Sequence, residues 1–160
     1  MSKSRKSSAA ARGRRKALSA AHRRLIKAAK SARKQSYSPY SRYPVGAAVL
    51  TESGRIFSGT NVENACYNLG ICAERTAIGS AVTRGEKALK AVCVVGHNAQ
   101  PCGACRQVMM EFSTKETELL LVNTDPKARD STVLTRVAAM LPAAFDPLDS
   151  GLLPRRKNER

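Results

Sequence analysis

Leu25, Ile26, Ala29 and Ala32 recur at helical spacing among basic residues, so about 21–35 reads as a basic amphipathic helix. Ser36-Tyr37-Ser38-Pro39-Tyr40-Ser41 is a breaker cluster that ends it. Val45 to Leu50 then reads as a strand, Glu52-Ser53-Gly54 as a turn, and Arg55 to Thr60 as the returning strand of a hairpin. Asn61 to Gly70 is polar and irregular. Ile71 to about Val82 is Ala-rich and reads as a helix ending near Gly85. Ala91 to Val95 and Leu119 to Val122 are short continuous apolar runs, the pattern of strands buried on both faces. Between them 96–101 reads as a loop and Gly103 to Phe112 as a helix. Val133 to Leu141 reads as a last short helix before a Pro-punctuated, basic C-terminus. Strands alternating with helices predict an α/β sandwich around one sheet, and no internal repeat is seen.

A chain of 160 residues with 42% hydrophobic content has room for one domain with a real core. The net charge of +16 has the look of a nucleic-acid binder, but its distribution changes that picture. Of 28 Lys and Arg residues, 13 lie in 1–35, and the first acid is Glu52; the remainder carries 15 basic against 12 acidic residues. The charge therefore belongs to an extension. The expected organisation is a basic, disordered extension over 1–20, a catalytic domain over 21–150 and a basic tail over 151–160. Three roles fit the extension: a solvated tail, a nucleic-acid tether or an organelle transit peptide, since it is rich in Arg and Ser and free of acid. The absence of Trp and a 4% aromatic content argue against a base-stacking surface. No run approaches the ~18 apolar residues of a membrane span, so no membrane partner is expected. Five cysteines and no apolar leader argue against a secreted disulfide framework and for reduced thiols in the cytoplasm.

Two segments carry chemistry. Pro101-Cys102-Gly103-Ala104-Cys105 places a Cys-x-x-Cys at a helix N-terminus, where free N–H groups and the helix dipole favour thiolates. Alone it is ambiguous between a redox pair, a structural zinc site and a catalytic one. Cys72-Ala73-Glu74 opens the other helix and supplies a third thiolate. Three protein ligands leave a tetrahedral Zn²⁺ one open position for a water whose pKa falls toward ~7. Glu74, two residues from a ligand, is placed to shuttle its proton without ligating. Cys-x-Glu followed by Pro-Cys-x-x-Cys is the three-cysteine form of the zinc-deaminase signature. The competing reading is a closed zinc knuckle whose fourth ligand would be Cys66, Cys93, His22 or His97; it leaves Glu74 unexplained. Zn²⁺ with three thiolates is net −1, and Arg75 is placed to donate to the sulfurs, if it is not merely a surface arginine. Cys93, in an apolar strand, reads as a small hydrophobe, and Cys66 as the same.

With these residues in view, about 22–149 resembles the small homotetrameric cytidine deaminases. The resemblance is carried by Tyr40-Ser41-Arg42-Tyr43-Pro44-Val45-Gly46-Ala47-Ala48, Gly59-Thr60-Asn61-Val62-Glu63-Asn64-Ala65-Cys66-Tyr67, Gly70-Ile71-Cys72-Ala73-Glu74-Arg75-Thr76-Ala77-Ile78 and Pro101-Cys102-Gly103-Ala104-Cys105-Arg106-Gln107, with Leu141-Pro142 and Phe145 near the end. It implies a three-layer α/β/α sandwich around a mixed five-stranded sheet, with active sites completed by neighbouring subunits. It implies zinc on Cys72, Cys102 and Cys105, Glu74 as acid and base, and Arg75 beside the sulfurs. Asn61 and Glu63 would hold the ribose 3′-hydroxyl, backbone near Ala73 would contact the pyrimidine, and Tyr43 would pack near the substrate. Ala65, Tyr67 and Phe145 would approach from other subunits. The implied substrate is free cytidine or deoxycytidine, attacked by water at C4 and converted to uridine or deoxyuridine and ammonia.

Three departures from the family pattern stand out. Tyr43 occupies a position often filled by Phe. The 96–100 loop is short, and Gln100 stands where Ser is common. The basic extension is additional. Two other functions use the same residues: deamination of another amino-heterocyclic nucleoside, or a nucleic-acid-directed deaminase or binding protein anchored by the basic tail. Glu63 bears on the choice, because a carboxylate facing the 3′-hydroxyl repels the 3′-phosphate of a polymer; its bland reading is a solvated loop acid.

Overall fold

The computed structural model describes residues 17–98, 100–125, 127, 132–145 and 152. The first helix, α1 (Ala20–Arg33), is capped by Ser19, whose hydroxyl accepts from the His22 N–H while the His22 ring reaches back to the Ser19 N–H. Strands β1 (Gly46–Thr51) and β2 (Ile56–Thr60) form the expected hairpin, turning at Gly54 with φ +85°. After a single 3₁₀ turn at Tyr67–Leu69 come α2 (Ala73–Thr83), β3 (Leu89–Gly96), α3 (Gly103–Phe112), β4 (Glu118–Asn123) and β5 (Thr132–Arg136). The sheet order is β2-β1-β3-β4-β5. Only β3 and β4 are parallel, joined through α3, so the sheet is mixed.

Alternation along the inner strands makes the three layers. Ala47, Val49, Val92, Val94, Leu119 and Leu121 face α2 and α3, packing with Ala73, Ala77, Ile78, Ala81 and Met109. Ala48, Leu50, Ala91, Cys93, Val95, Leu120 and Val122 face the opposite side, where Leu25 and Ala29 of α1 cover them. This is the α/β/α sandwich expected from the sequence.

Two glycines set how closely the layers approach. A Cβ at Gly46 would lie 2.2 Å from the Ala29 carbonyl oxygen, and one at Gly59 would lie 2.4 Å from the Ala77 nitrogen. Helix backbone thus rests directly on strand backbone on both faces.

Three expectations are corrected. Val133 to Leu141 is not a helix: Thr132–Arg136 is an antiparallel edge strand on β4, followed by a 3₁₀ turn at Ala138–Met140. The β-branched Thr132, Val133 and Thr135 suit a strand with one face open, and Val133 is half exposed. The helix expected from Ile71 begins at Ala73, because Ile71 is engaged in a bridge with Val62. Cys66 is exposed and is not a core residue, whereas Cys93 is buried as expected. The extension assigned to 1–20 and the tail assigned to 151–160 lie almost wholly outside the described residues.

The close approach predicts a contrast. Gly59→Ala should lower the unfolding free energy by about 3 kcal/mol, since backbone cannot yield as a side chain can. Gly79→Ala, at a helix position with nothing within 4 Å, should raise it by about 0.5–1 kcal/mol. Urea unfolding of the two variants checks this, and a neutral Gly59→Ala would mean that α2 slides freely on the sheet.

Candidate active site

Cys72 is the N-cap of α2 and Cys102 the N-cap of α3, both in extended conformation and neither spending its side chain on a capping bond. Their sulfurs are left free at the positive ends of two helices. Cys105, one turn into α3, is fully buried and completes the group. The sulfurs of Cys72 and Cys102 are 3.9 Å apart and those of Cys102 and Cys105 3.4 Å, with all three within 4.8 Å of one another. Thiolate–zinc bonds of about 2.3 Å in tetrahedral geometry require sulfurs about 3.8 Å apart, so the donor set fits zinc in both chemistry and size.

Protons on the cluster behave as its spacing dictates. Hydrogen bonds from Cys105 and Cys102, with Arg75 beside it, hold the Cys72 thiol down to about 5, although burial opposes this. The bond to Cys72 pushes Cys105 the other way, with burial and the nearby Glu74 charge adding. One thiolate forms readily and the next is resisted, a frustration that a divalent cation removes.

Glu74 is almost completely buried on the first turn of α2. Burial pushes its carboxyl up and the Cys72 charge adds, against a bond from its own backbone N–H; the Cys105 thiol lies in hydrogen-bonding contact with it. Arg75 turns the other way, donating through Nη2 to the Gly70 carbonyl at 3.1 Å and bonding the Cys72 sulfur. Its Nε is buried with no protein partner among the described residues.

The other expected site residues fall into two groups. Asn61 holds the entry to β1: its Oδ1 accepts from the Ser36 hydroxyl (2.6 Å) and the Val45 N–H (2.9 Å), and its Nδ2 donates to the Tyr43 carbonyl (3.0 Å). Glu63 accepts from the N–H groups of Tyr40 (2.9 Å) and Ser41 (3.3 Å) and from the Ser41 hydroxyl. The Ser41 hydroxyl, more than the two N–H groups, keeps its carboxyl below the usual carboxylate range, although desolvation works against it. Glu63 lines an open cleft of about 320 Å³ with Tyr40, Ser41, Asn64, Tyr67 and Gly70. Gly70 lines that cleft and its carbonyl accepts from Arg75, which bonds the Cys72 sulfur. Tyr43 stands close enough to Glu74 to feel its charge. Ala73 is buried on the first turn of α2. Ala65, Tyr67 and Phe145 lie on the surface of the single chain, Tyr67 77% and Phe145 61% exposed, and take no part in the sulfur cluster. Sequence reasoning missed Ser41 and Tyr40 as the groups that orient Glu63, although both lie in the stretch that carried the resemblance.

The candidate fourth ligands are elsewhere. His22 is spent on Ser19 and on Glu118, 2.7 Å away. Cys93 is on the α1 side of the sheet, its thiol pushed up to about 12 by burial. Among the described residues, Cys72, Cys102 and Cys105 are the group able to hold a metal.

Three convergent cysteine sulfurs with a buried carboxyl alongside, on an α/β/α sandwich, form a donor set that suits zinc. The comparisons place it more narrowly. Residues 19–121 match the family described as the cytidine and deoxycytidylate deaminase zinc-binding region, and the chain belongs to that family. It is 44% identical over 129 residues to a cytidine deaminase of Sporosarcina psychrophila, covering 79% of this chain and 92% of that one. It is 43% identical to one of Halalkalibacterium halodurans, over 78% of this chain and 94% of the relative. The crystal structure of cytidine deaminase from Burkholderia pseudomallei superposes with a TM-score of 0.72 at 45% identity, over 78% of this chain and 98% of that one. The cofactor of this family is zinc, and the three cysteines are where this chain can hold it.

Metal analysis separates the open site from a closed one. The purified chain should carry one zinc. Cys72→Ala and Cys102→Ala should each lose most of it, while Cys66→Ala, Cys93→Ala, His22→Ala and His97→Ala should keep it. Loss of zinc in any of the last four would restore a four-ligand structural site.

Proposed function

We propose that the protein hydrolyses the exocyclic amine of free cytidine or deoxycytidine, giving uridine or deoxyuridine and ammonia. The observation that carries this reading is the buried Glu74 carboxyl in hydrogen-bonding contact with one of three convergent sulfurs. A zinc ion held by Cys72, Cys102 and Cys105 supplies the Lewis acidity that makes water nucleophilic near neutral pH. Glu74 accepts the proton that water gives up as its oxygen bonds to C4. It passes that proton to N3, then takes the remaining proton from the new C4 hydroxyl and delivers it to the departing amine, so the C4–N4 bond breaks, the C4 carbonyl forms, ammonia leaves and the carboxylate is restored. Burial, which raises its pKa, suits it to hold that proton between steps. Arg75 and the two helix N-termini offset the negative charge of three thiolates. The tight packing around Ala73 keeps bulk water from the ring.

Asn61 and Glu63 take the sugar. Asn61 retains one N–H beyond its bond to Tyr43, and Glu63, kept charged by Ser41 and Tyr40, retains lone pairs to accept from a 3′-hydroxyl. A phosphate at that oxygen would meet the Glu63 charge, which favours free nucleosides over polymers. Ala65, Tyr67 and Phe145 fit a homotetramer in which each site is completed by neighbouring chains. The support is a belt of exposed apolar side chains beside the cleft, with Tyr40 and Tyr67 rings in edge contact at 5.6 Å and Val62, Leu69 and Ile71 adjoining them. Five free thiols suit work in the cytoplasm.

Ammonia release from cytidine is the direct test. Glu74→Ala should keep its zinc and lose roughly 10²–10⁴-fold in kcat. Glu63→Gln should lose about 10- to 100-fold in kcat/KM, the value of a hydrogen bond to a charged group. A zinc-loaded, folded chain that leaves cytidine unchanged would sink this reading. Indifference to Glu63→Gln would move it to a substrate without the ribose contact.

A further inference from the structure

The strands β1 and β3 end their ladder at the pair Gly46–Val95. Beyond it the two segments, 43–45 on one side and 96–98 on the other, leave the ladder with each other and turn to other partners, Val45 to Asn61 and Gly96 to β4. One side-chain bond joins them: the Tyr43 hydroxyl donates to the His97 carbonyl. Both ends of that bond are prepared. The Tyr43 backbone is pinned twice, its N–H by the Ser41 hydroxyl at 3.1 Å and its carbonyl by Asn61 Nδ2 at 3.0 Å, so the phenol swings from a fixed base. On the other side Asn98 has φ +50°, a left-handed conformation that Asn tolerates and few other residues do. It is clasped by Asn123, which accepts from the Asn98 N–H at 2.9 Å and donates to its side-chain oxygen at 2.6 Å. The turn at 97–98 therefore has two anchors, Asn123 from the end of β4 and Tyr43 from the entry to β1. It leads directly into buried Pro101 and the cap residue Cys102.

We propose that Tyr43 is a positioning residue whose hydroxyl latches the turn at His97 and Asn98 against the mouth of the Glu74 site, fixing the wall against which the pyrimidine ring is seated. The proposal rests on the deaminase reading for its kinetic consequence only; the latch itself is a property of the fold. Phenylalanine at 43 keeps the ring and its packing and removes only the donor. The His97 carbonyl is near the surface, so water replaces the lost bond and the chain folds normally, but the turn is left on a single anchor. A seat that forms only part of the time weakens binding in proportion to the time it is formed and leaves the chemical step little changed.

The zinc-loaded full-length chain and its Tyr43→Phe variant would be compared by amide hydrogen exchange and by steady-state kinetics with cytidine. The Asn98 amide, bonded to Asn123, should exchange about two- to tenfold faster in the variant, the effect of one ordinary hydrogen bond on the opening of the turn. KM should rise by a similar factor, with kcat changing less and zinc content constant. Asn123→Ala, which frees the other anchor, should give the same signature, and the double variant should lose less than the product of the two losses. Unchanged exchange at Asn98 in Tyr43→Phe, or a fall in kcat with KM held, would overturn the latch. Absence of turnover in the parent chain would count against the deaminase reading, while the exchange comparison would still decide the latch.

Discussion

Everything in this molecule that bears on chemistry depends on two helix N-termini meeting within a few ångströms. Three sulfurs on two separate helices must share one small volume, so neither helix can drift along the sheet. The fold supplies that constraint from below. α2 sits on β2 with its backbone in contact at Gly59, and α3 is tied between the parallel strands β3 and β4. α3 between β3 and β4, and α2 between β2 and β3, which run in the same direction, each start beside the carboxyl end of a strand and return, which is where open α/β sheets place their ligands. The antiparallel strands β1 and β2 matter as much, because α2 and with it the cap residue Cys72 rest on them.

Cap positions are used unusually. A helix N-cap is normally filled by Ser, Thr, Asp or Asn, whose oxygen satisfies a free N–H. At Cys72 and Cys102 that bond is given up, leaving the partial positive charge of the helix end beside each sulfur. The cost is of the order of 1 kcal/mol per cap. The return is a Cys72 thiolate favoured before any metal arrives, with Arg75 as a further positive contribution. The same field acts on Glu74 in the opposite sense to burial, so its proton affinity is a balance between desolvation and thiolate charge on one side and helix and arginine on the other.

Much of this was legible in the chain because the relevant spacings are local. The Cys-x-x-Cys and Cys-x-Glu segments each open a helix, and helix starts are readable from a few residues. The inner strands announced themselves as continuous apolar runs because both their faces are covered. What failed was the edge. Val133, Val137 and Leu141 recur at i, i+4 and mimic a helix, while the signal for a strand, β-branched Thr132, Val133 and Thr135, was diluted because one face is open to solvent. Cys66 failed for a related reason: cysteine is so often buried that its place in an exposed turn could not be read from composition. Contacts such as Ser41 with Glu63, or Tyr43 with His97, span 22 and 54 residues and belong to tertiary geometry, on which short-range pattern is silent.

Geometry also bears on the basic N-terminal region, which the chemistry of a neutral nucleoside does not call for, since an uncharged substrate is not steered by net charge. α1 lies on the face of the sheet opposite α2 and α3, and its first turn is tied through His22 to Glu118, the first residue of β4. The sulfurs lie at the other end, beyond the last residues of β3. Six residues of strand separate the two ends, or about 20 Å. Leu18, just before the cap of α1, therefore lies towards the far end of the sheet and in the opposite layer. A polyanion held there is not thereby presented to Glu74 of the same chain. The exposed cations of α1, Arg23, Arg24, Lys27 and Lys30, continue that basic region along the same outer layer. Positive charge on that outer layer is remote from the sulfurs and takes no part in the chemistry at C4 proposed for Glu74.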